Sequence, residues 1–350
     1  EDEWHTSGNP ILFYLAREIE KRGWEVVPLE KRDLFSYENI SRKKLSVLHL
    51  HWPVLTFDFV KKWQKYVLPQ KLFNYWAAKQ VDRWIKFINQ FSFKVVWQIH
   101  DVVSHHAHHT KAFQADLYLH RSFYKLADGV IIHERSCLPP INAAIGEGKK
   151  FEIAHLGDYT EVYGKKISRL EARKNLGVPL EGKILSFIGT ARRNRDPKKL
   201  VKKYMAVKQG NSYLLVAGQG VERTLRDIDI GDSVKIYSGF LPSETIRDII
   251  CASDFIINHA KKYLTSAVVR SSLSYGIPVI VEKFGSSIDM AKGAAVYFDQ
   301  NEPIEKVLIK ALEMENAEYK MLVEEAYKRN SERTWSDAGE ACISLYRQLT

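Results

Sequence analysis

The amino-acid sequence predicts an α/β protein built as two doubly wound parallel-sheet domains of Rossmann-like type, facing each other across a cleft. Three observations carry that expectation. Short apolar runs alternate with amphipathic stretches of helical period along almost the whole chain. That alternation calls for parallel strands, because parallel neighbours need a crossover connection, usually a helix. The 350 residues also exceed what one ordinary core holds, so two domains are expected.

In the first half the strand candidates are WEVVPL, SVLHLHW, KVVWQIH, GVIIHE and FEIAHL. Helical stretches such as ILFYLAREIEKRG and FQADLYLHRSFYKLAD lie between them. A domain of this kind begins with a strand, yet the sequence opens in HTSGNP, which reads as the loop after one. The charged, strand-free segment at 163–183 reads as the junction, dividing residues 1–165 from 166–330. In the second half the strands are KILSFIG, SYLLVAG, SVKIYSG, DFIINHA, IPVIVE and AAVYF, with helices such as SETIRDIICA and TSAVVRSSLSYG. Residues 331–350 form a last amphipathic helix, for which a serine supplies the cap.

Composition narrows the function classes. An apolar content of 45% and a charged content of 27% are those of a soluble globular protein. No run of about 18 apolar residues exists, so no membrane-spanning helix is expected. The acidic, polar opening EDEWHTSGNP is not a secretory signal. Cys137, Cys251 and Cys342 are odd in number and far apart, which fits a reducing compartment and neither a disulfide framework nor a zinc site. A cytoplasmic location is therefore expected. The net charge of +10 points to an anionic partner.

Ligands of doubly wound domains bind outside the carboxyl ends of the strands, so the residues there are the candidates. After ILSFIG come Gly189, Arg192, Arg193 and Arg195, then Pro197 opening a helix with Lys198 and Lys199. A helix amino terminus beside arginines is an anion site, and guanidinium forks match phosphate oxygens. The alternative is a solvated charge cluster. After DFIINHA, Thr265 and Ser266 stand where a helix cap is expected, leaving amides for a second phosphate contact. Two such sites on neighbouring strand ends suit a pyrophosphate. LLVAGQG is not a dinucleotide fingerprint, since Arg223 occupies its third glycine position. Gly239, Phe240 and Leu241 could support a flat base, or form an ordinary strand-to-helix turn.

In the first half, His100 closes a strand and is a candidate for the reacting centre, against the alternative of a hydrogen-bonded core histidine. His105, His106, His108 and His109 follow, but adjacent imidazoles lacking carboxylate or thiolate partners do not build a metal site, so none is expected. Residues 59–91 interleave lysines with Trp63, Tyr66, Phe73, Tyr75, Trp76, Trp84 and Phe87. That mixture suits an interfacial helix or a groove for a lipid-linked acceptor, in which Trp63, Trp76 and Trp84 would take part, or stacking on a single-stranded nucleic acid, or a helix whose aromatic face is core.

The series HLHWP, W-x-x-H-x-x-x-x-H, VIIHE, IAHLGDYTEVY, FIGTARR and LTS…SYGIPVIVE resembles the GT-B fold glycosyltransferases, close to glycosyltransferase family 4, over nearly the full chain. The resemblance implies that the second domain binds a nucleotide-diphosphate sugar, UDP- or GDP-linked, as substrate, with no further cofactor. It implies that Gly189, Arg192 and Arg195 hold the diphosphate, and that the 265–266 loop holds its distal phosphate. It assigns Gly239 to Leu241 to the base and His100 to the donor sugar. It brings the last helix back to the first domain. The family's two glutamates before G-x-P-V are replaced here by Tyr263 and Ser271, which fits a subgroup with an LTS loop.

The implied activity is metal-independent hexosyl transfer to a glycan or lipid-linked acceptor, with peripheral membrane association and no nucleic acid. If the reaction inverts, Asp101 or His105 would be the base; if it retains, the leaving phosphate serves. Two other readings stand beside it: a sugar-nucleotide epimerase of the same fold, and a non-catalytic basic protein binding nucleic acid or membrane.

Overall fold

The computed structural model of the chain describes residues 10–30, 32–52, 69–103, 113–192, 194–260 and 263–350. The chain divides into two compact units, Glu1–His155 with Trp335–Thr350, and Leu156–Thr334.

The first unit holds four parallel strands: β1 (Val47–Leu50), β2 (Lys94–Gln98), β3 (Gly129–Ile132) and β4 (Lys150–Ile153), in that spatial order. Every residue of β3 is buried, as a parallel strand covered on both faces requires. Helix α1 (Pro10–Glu20) buries Ile11, Leu15 and Ile19, one helical face. Helix α2 (Gln70–Ile88) turns Phe73, Ala77, Val81, Trp84 and Ile88 inward at helical spacing, and α3 (Phe113–Leu126) packs beside it. The closing helix, Trp335–Leu349, belongs to this unit. Its Ala338, Cys342, Leu345 and Tyr346 share a core with Leu15, Ile19, Val96, Ile131 and Ala154. Ser331, read from the sequence as its cap, instead ends the preceding helix, and its hydroxyl donates to the Lys328 carbonyl.

One expected strand is absent. Residues 24–29 (WEVVPL) are not in a strand, because they pair with no described strand, and extended backbone needs a neighbour's ladder to become one. Trp24 and Val26 pack against the core of the closing helix instead, with Trp24 tilted over Tyr346 at 5.3 Å between ring centroids.

The second unit holds six parallel strands: β5 (Lys183–Ile188), β6 (Ser212–Gly218), β7 (Val234–Ser238), β8 (Phe255–Asn258), β9 (Val279–Glu282) and β10 (Ala295–Phe298). All six match the sequence expectation. Their order is β10-β9-β8-β5-β6-β7, so the direction of winding reverses between β5 and β8. Parallel sheets open a ligand crevice at the carboxyl ends of such a pair.

The break between the units falls at His155/Leu156, not after residue 165. Leu156 is held by Arg270, whose Nε donates to its carbonyl at 2.7 Å, and the Tyr159 amide donates to Ser274 Oγ at 2.9 Å. Nor is the charged segment at 163–183 a junction. It carries α4 (Arg169–Leu176), capped by Ser168 and closed by left-handed Gly177. Buried Arg173 ties it to the sheet through Asp254 at 3.1 Å and the Ala252 carbonyl at 3.1 Å. The second break follows Thr334 instead of residue 330.

Candidate active site

The switch point of the second sheet gathers the residues that follow β5 and β8. Strand β5 runs into Gly189, and the chain returns through a bridge in which the Arg192 amide donates to the Arg195 carbonyl at 3.1 Å and the Arg195 amide to the Arg192 carbonyl at 2.9 Å. This turn folds the Arg195 side chain back over the strand end. A Cβ at Gly189 would stand 2.2 Å from Arg195 Nη1, so a side chain there would push the guanidinium from its place, and the backbone at φ +148 also favours glycine. Gly218 at the end of β6 has a comparable duty, since a Cβ there would lie 2.2 Å from the Gly189 carbonyl oxygen. The glycine of LLVAGQG thus serves close backbone packing.

Arg195 Nη2 donates to Asn258 Oδ1 at 3.1 Å, and Asn258 Nδ2 donates to Ser266 Oγ at 2.9 Å. Ser266 in turn caps helix α7 (labelled after α5, Pro197–Val207, and α6, Ser243–Ala252), which spans Ala267–Ser274, by accepting from the Val269 amide. Asn258 therefore joins the two stretches the sequence nominated separately. The signal was visible as a polar residue ending the buried run DFIIN, but the reading stopped at its neighbours.

The guanidinium lies 5.2 Å from the Tyr263 ring centroid and 6.0 Å from that of Phe187. Tyr263 stands where the resemblance expects a glutamate. A cation–π contact leaves the positive charge in place, whereas a carboxylate would cancel it. Burial lowers the Arg195 pKa, the Tyr263 phenol opposing this and Arg192 adding to it. No carboxylate among the described residues pairs with Arg192 or Arg195. Ser271, at the second glutamate position, is buried and donates to the Val268 carbonyl.

Four buried polar atoms of these two loops have no hydrogen-bond partner among the described residues: Asn194 Nδ2, Arg195 Nε, His259 Nδ1 and Thr265 Oγ1. Buried polar groups are rarely left unmade, so such a cluster marks a place where a polar ligand would complete them. Burial pushes the His259 imidazole down to about 4, with its Nε2 donating to the Asp196 carbonyl at 3.0 Å.

Two expectations change. The amino terminus of α5 is not open to an anion through its first amides, because the Asp196 carboxylate accepts from the Lys198 and Lys199 amides at 2.9 and 3.4 Å. Thr265 is not the cap of α7; Ser266 is. Gly239 sits at φ +103 after β7, and Phe240 beside it is 81% exposed, with Leu241 half-buried. Arg193 lies outside the described residues.

In the first unit, each strand end supplies one member of a hydrogen-bonded row. His51 follows β1, His100 follows β2, His133 follows β3 and the Ala154 carbonyl follows β4. His51 Nδ1 is 3.1 Å from His100 Nε2, His100 Nδ1 is 3.0 Å from His133 Nε2, and His133 Nδ1 is 3.0 Å from the Ala154 oxygen. Trp52 stacks on His100 at 4.2 Å, and His49 on His51 at 4.4 Å. Burial lowers the pKa of all four imidazoles, to about 4 for His133 and about 3 for His49. His100 is 5% exposed, with both ring nitrogens engaged. Asp101 follows it, half-buried, while His105, His106, His108 and His109 lie outside the described residues. His51 and His133 were not singled out from the sequence, although the four motifs that form strands all end in or just after a histidine.

The aromatic and basic stretch divides by face. Trp84 is core: it is 2% exposed, stacks on Phe123 at 4.9 Å, and its Nε1 donates to the Leu34 carbonyl at 2.8 Å. Its expected place at an acceptor surface is therefore corrected. Trp76 is half-buried, Leu72 and Tyr75 are exposed, and Lys79 lies 4.6 Å over the Tyr75 ring. Trp63 and Tyr66 lie outside the described residues.

No family model and no curated protein matches the sequence. Solved structures do match in three dimensions. Sucrose-phosphate synthase from Thermosynechococcus elongatus aligns with a TM-score of 0.68 at 16% identity, over 93% of this chain and 80% of that one. Anabaena HepE in complex with UDP aligns with a TM-score of 0.62 at 15% identity, over 83% and 80%. A glycosyltransferase from Rickettsia africae aligns with a TM-score of 0.61 at 10% identity, over 97% and 82%. At these identities the likeness concerns the fold: the chain has the two parallel-sheet α/β units of the GT-B glycosyltransferase fold.

Proposed function

We propose that the chain is a glycosyltransferase that moves a hexose from a nucleotide-diphosphate sugar to a glycan or lipid-linked acceptor. One observation carries this reading. The loops after β5 and β8 hold Arg192 and Arg195, with which no carboxylate among the described residues pairs, and they carry four buried polar atoms without a partner among the described residues. A diphosphate supplies what that site is missing: negative charge for the guanidiniums and acceptor oxygens for Asn194 Nδ2, Arg195 Nε and the Thr265 hydroxyl.

The chemistry follows from charge. As the bond between the sugar and the diphosphate breaks, negative charge grows on the leaving group. Arg195, fixed in advance by Gly189, Asn258 and Tyr263, stabilises that charge together with Arg192, without a metal ion. The exposed Phe240 beside Gly239 offers a platform for the base. UDP is favoured over GDP because HepE is solved with UDP and with UDP-glucose. The outward face of α2, with Leu72, Tyr75 and Lys79, suits a lipid-linked acceptor at a membrane surface.

Calorimetric titration with UDP and GDP, followed by a donor-hydrolysis assay over UDP- and GDP-hexoses, tests the reading. UDP should bind, and Arg192→Ala should weaken binding at least tenfold and abolish turnover. Absence of binding to either diphosphate would overturn it. Interconversion of two nucleotide sugars without transfer would select the epimerase reading instead.

A further inference from the structure

We propose that His51, His100 and His133 form a one-way-polarised proton relay, set by the Ala154 carbonyl, with Nε2 of His51 as its proton-accepting end. Its catalytic use rests on the glycosyl-transfer reading, but its existence does not.

The polarity follows from donor and acceptor rules alone. A neutral imidazole has one N–H and one lone pair. The Ala154 carbonyl can only accept, so His133 carries its proton on Nδ1 and presents a lone pair at Nε2. His100 must then donate to it from Nδ1, leaving its own Nε2 as an acceptor. His51 must donate to that nitrogen from Nδ1. The same tautomer is thereby imposed on all three rings, and the lone pair of His51 Nε2 is left over. No described residue bonds that nitrogen. Burial favours the neutral form of each ring, as this arrangement needs.

The row exists because four parallel strands are adjacent and in register, spaced roughly 4.8 Å apart, a distance that one imidazole between two hydrogen bonds can bridge. The charged and titratable groups around it come from several elements. His49 stacks on His51 and meets the Tyr346 hydroxyl of the closing helix at 2.6 Å. Asp101 follows His100 in sequence. Glu134 follows His133, is buried, and pairs with His155 at 3.1 Å.

In transfer, a lone pair of the acceptor hydroxyl forms the bond to the anomeric carbon. The bond from that carbon to the diphosphate breaks, its electron pair leaving with the diphosphate. The hydroxyl proton passes to His51 Nε2, the His51 Nδ1 proton to His100 Nε2, and the His100 Nδ1 proton to His133 Nε2. His133 keeps its Nδ1–H bonded to the Ala154 carbonyl and holds the positive charge for the lifetime of the transfer; burial opposes that charge, and the Ala154 carbonyl and the Glu134 carboxylate offset part of the cost. Return of the protons along the row, with release to water, resets it. His51 thus takes the role that the sequence offered to Asp101 or His105, and His100 and His133 are positioning and relay residues.

Nitrogen-15 spectra of the imidazole rings at pH 7, assigned by single substitutions, test the relay whatever the enzyme's substrate. Neutral Nδ1–H tautomers are expected for His51, His100 and His133. An Nε2–H tautomer or an imidazolium at any of the three overturns the proposal. UDP-glucose, with water as acceptor, is the kinetic probe. His51→Gln and His133→Gln keep hydrogen-bonding side chains but cannot pass a proton, so kcat should fall about 10²-fold or more while UDP affinity changes less than twofold. Full kcat in either variant would overturn the relay. Failure of wild-type protein to bind UDP or turn over UDP-glucose would remove the transfer reading alone, with the ring spectra still deciding the relay.

Discussion

Arg195 lies directly across Gly189, so closely that a Cβ on the glycine would be 2.2 Å from Nη1 of the arginine. The pair explains why the strand ends in glycine and why the cation following it points inward. Gly189→Ala should displace the guanidinium and also strain a backbone at φ +148. The expected result is a loss of UDP affinity of at least tenfold by calorimetry, comparable to Arg195→Ala. The double variant should lose little more than either single one, because both remove the same contact.

Asn258 offers a sharper test of the anion reading. Its Oδ1 accepts from Arg195 and its Nδ2 donates to Ser266. Asn258→Ala removes the positioning but leaves the charge. Asn258→Asp keeps an acceptor for Arg195 while neutralising it, and also gives up the donor to Ser266. UDP affinity should therefore fall further for Asp than for Ala, although Asp is the closer match in shape. Equal affinities would count against a diphosphate at this site.

The buried histidines His49, His51, His100 and His133 should make the protein acid-labile. Burial holds His133 at about 4 and His49 at about 3, and keeps His51 and His100 well below 6.5. In the unfolded chain these rings titrate near the ordinary value of about 6.5. Between the two values the unfolded state binds more protons, so stability is whole above about pH 6.5 and falls as pH drops towards about 4. Each unit of difference is worth roughly 1.4 kcal/mol. Urea midpoints followed by tryptophan fluorescence should decrease steadily from pH 7 to pH 5, and His133→Gln should flatten that slope.

Much of this architecture could be read from the sequence, and the exceptions have physical causes. The six strands of the second sheet are apolar runs ended by glycine or a polar residue, and for the inner four, β5, β6, β8 and β9, burial on both faces leaves little else for such runs to do. WEVVPL has the same composition but no partner among the described strands, and pairing is a property that a lone segment does not carry. Arg192 and Arg195 could be found because cations after a buried strand have no folding role. Asn258 and the histidine row were harder, since each matters only through neighbours on other strands. His51, His100 and His133 are far apart in sequence, and only the parallel register sets them side by side. The junction was misplaced for a related reason: residues 163–183 are charged and hold no strand, which reads as a link between domains, yet Arg173 is buried against Asp254.

Helix α2 separates a packing role from a surface role within one element. Trp84 fills the core between Phe123 and the Leu34 carbonyl, so Trp84→Ala removes a large buried ring and leaves a cavity. Losses of about 3–5 kcal/mol are usual for such truncations, and the urea midpoint should fall accordingly. Tyr75 is 59% exposed on the outer face, with Lys79 over its ring. Tyr75→Ala should leave stability within about 0.5 kcal/mol, as surface changes generally do. If that face meets an anionic lipid surface, Tyr75→Ala combined with Lys79→Ala should reduce sedimentation with phosphatidylglycerol vesicles severalfold. Unchanged vesicle binding in the double variant would confine α2 to its structural role and move the acceptor surface elsewhere in the first unit.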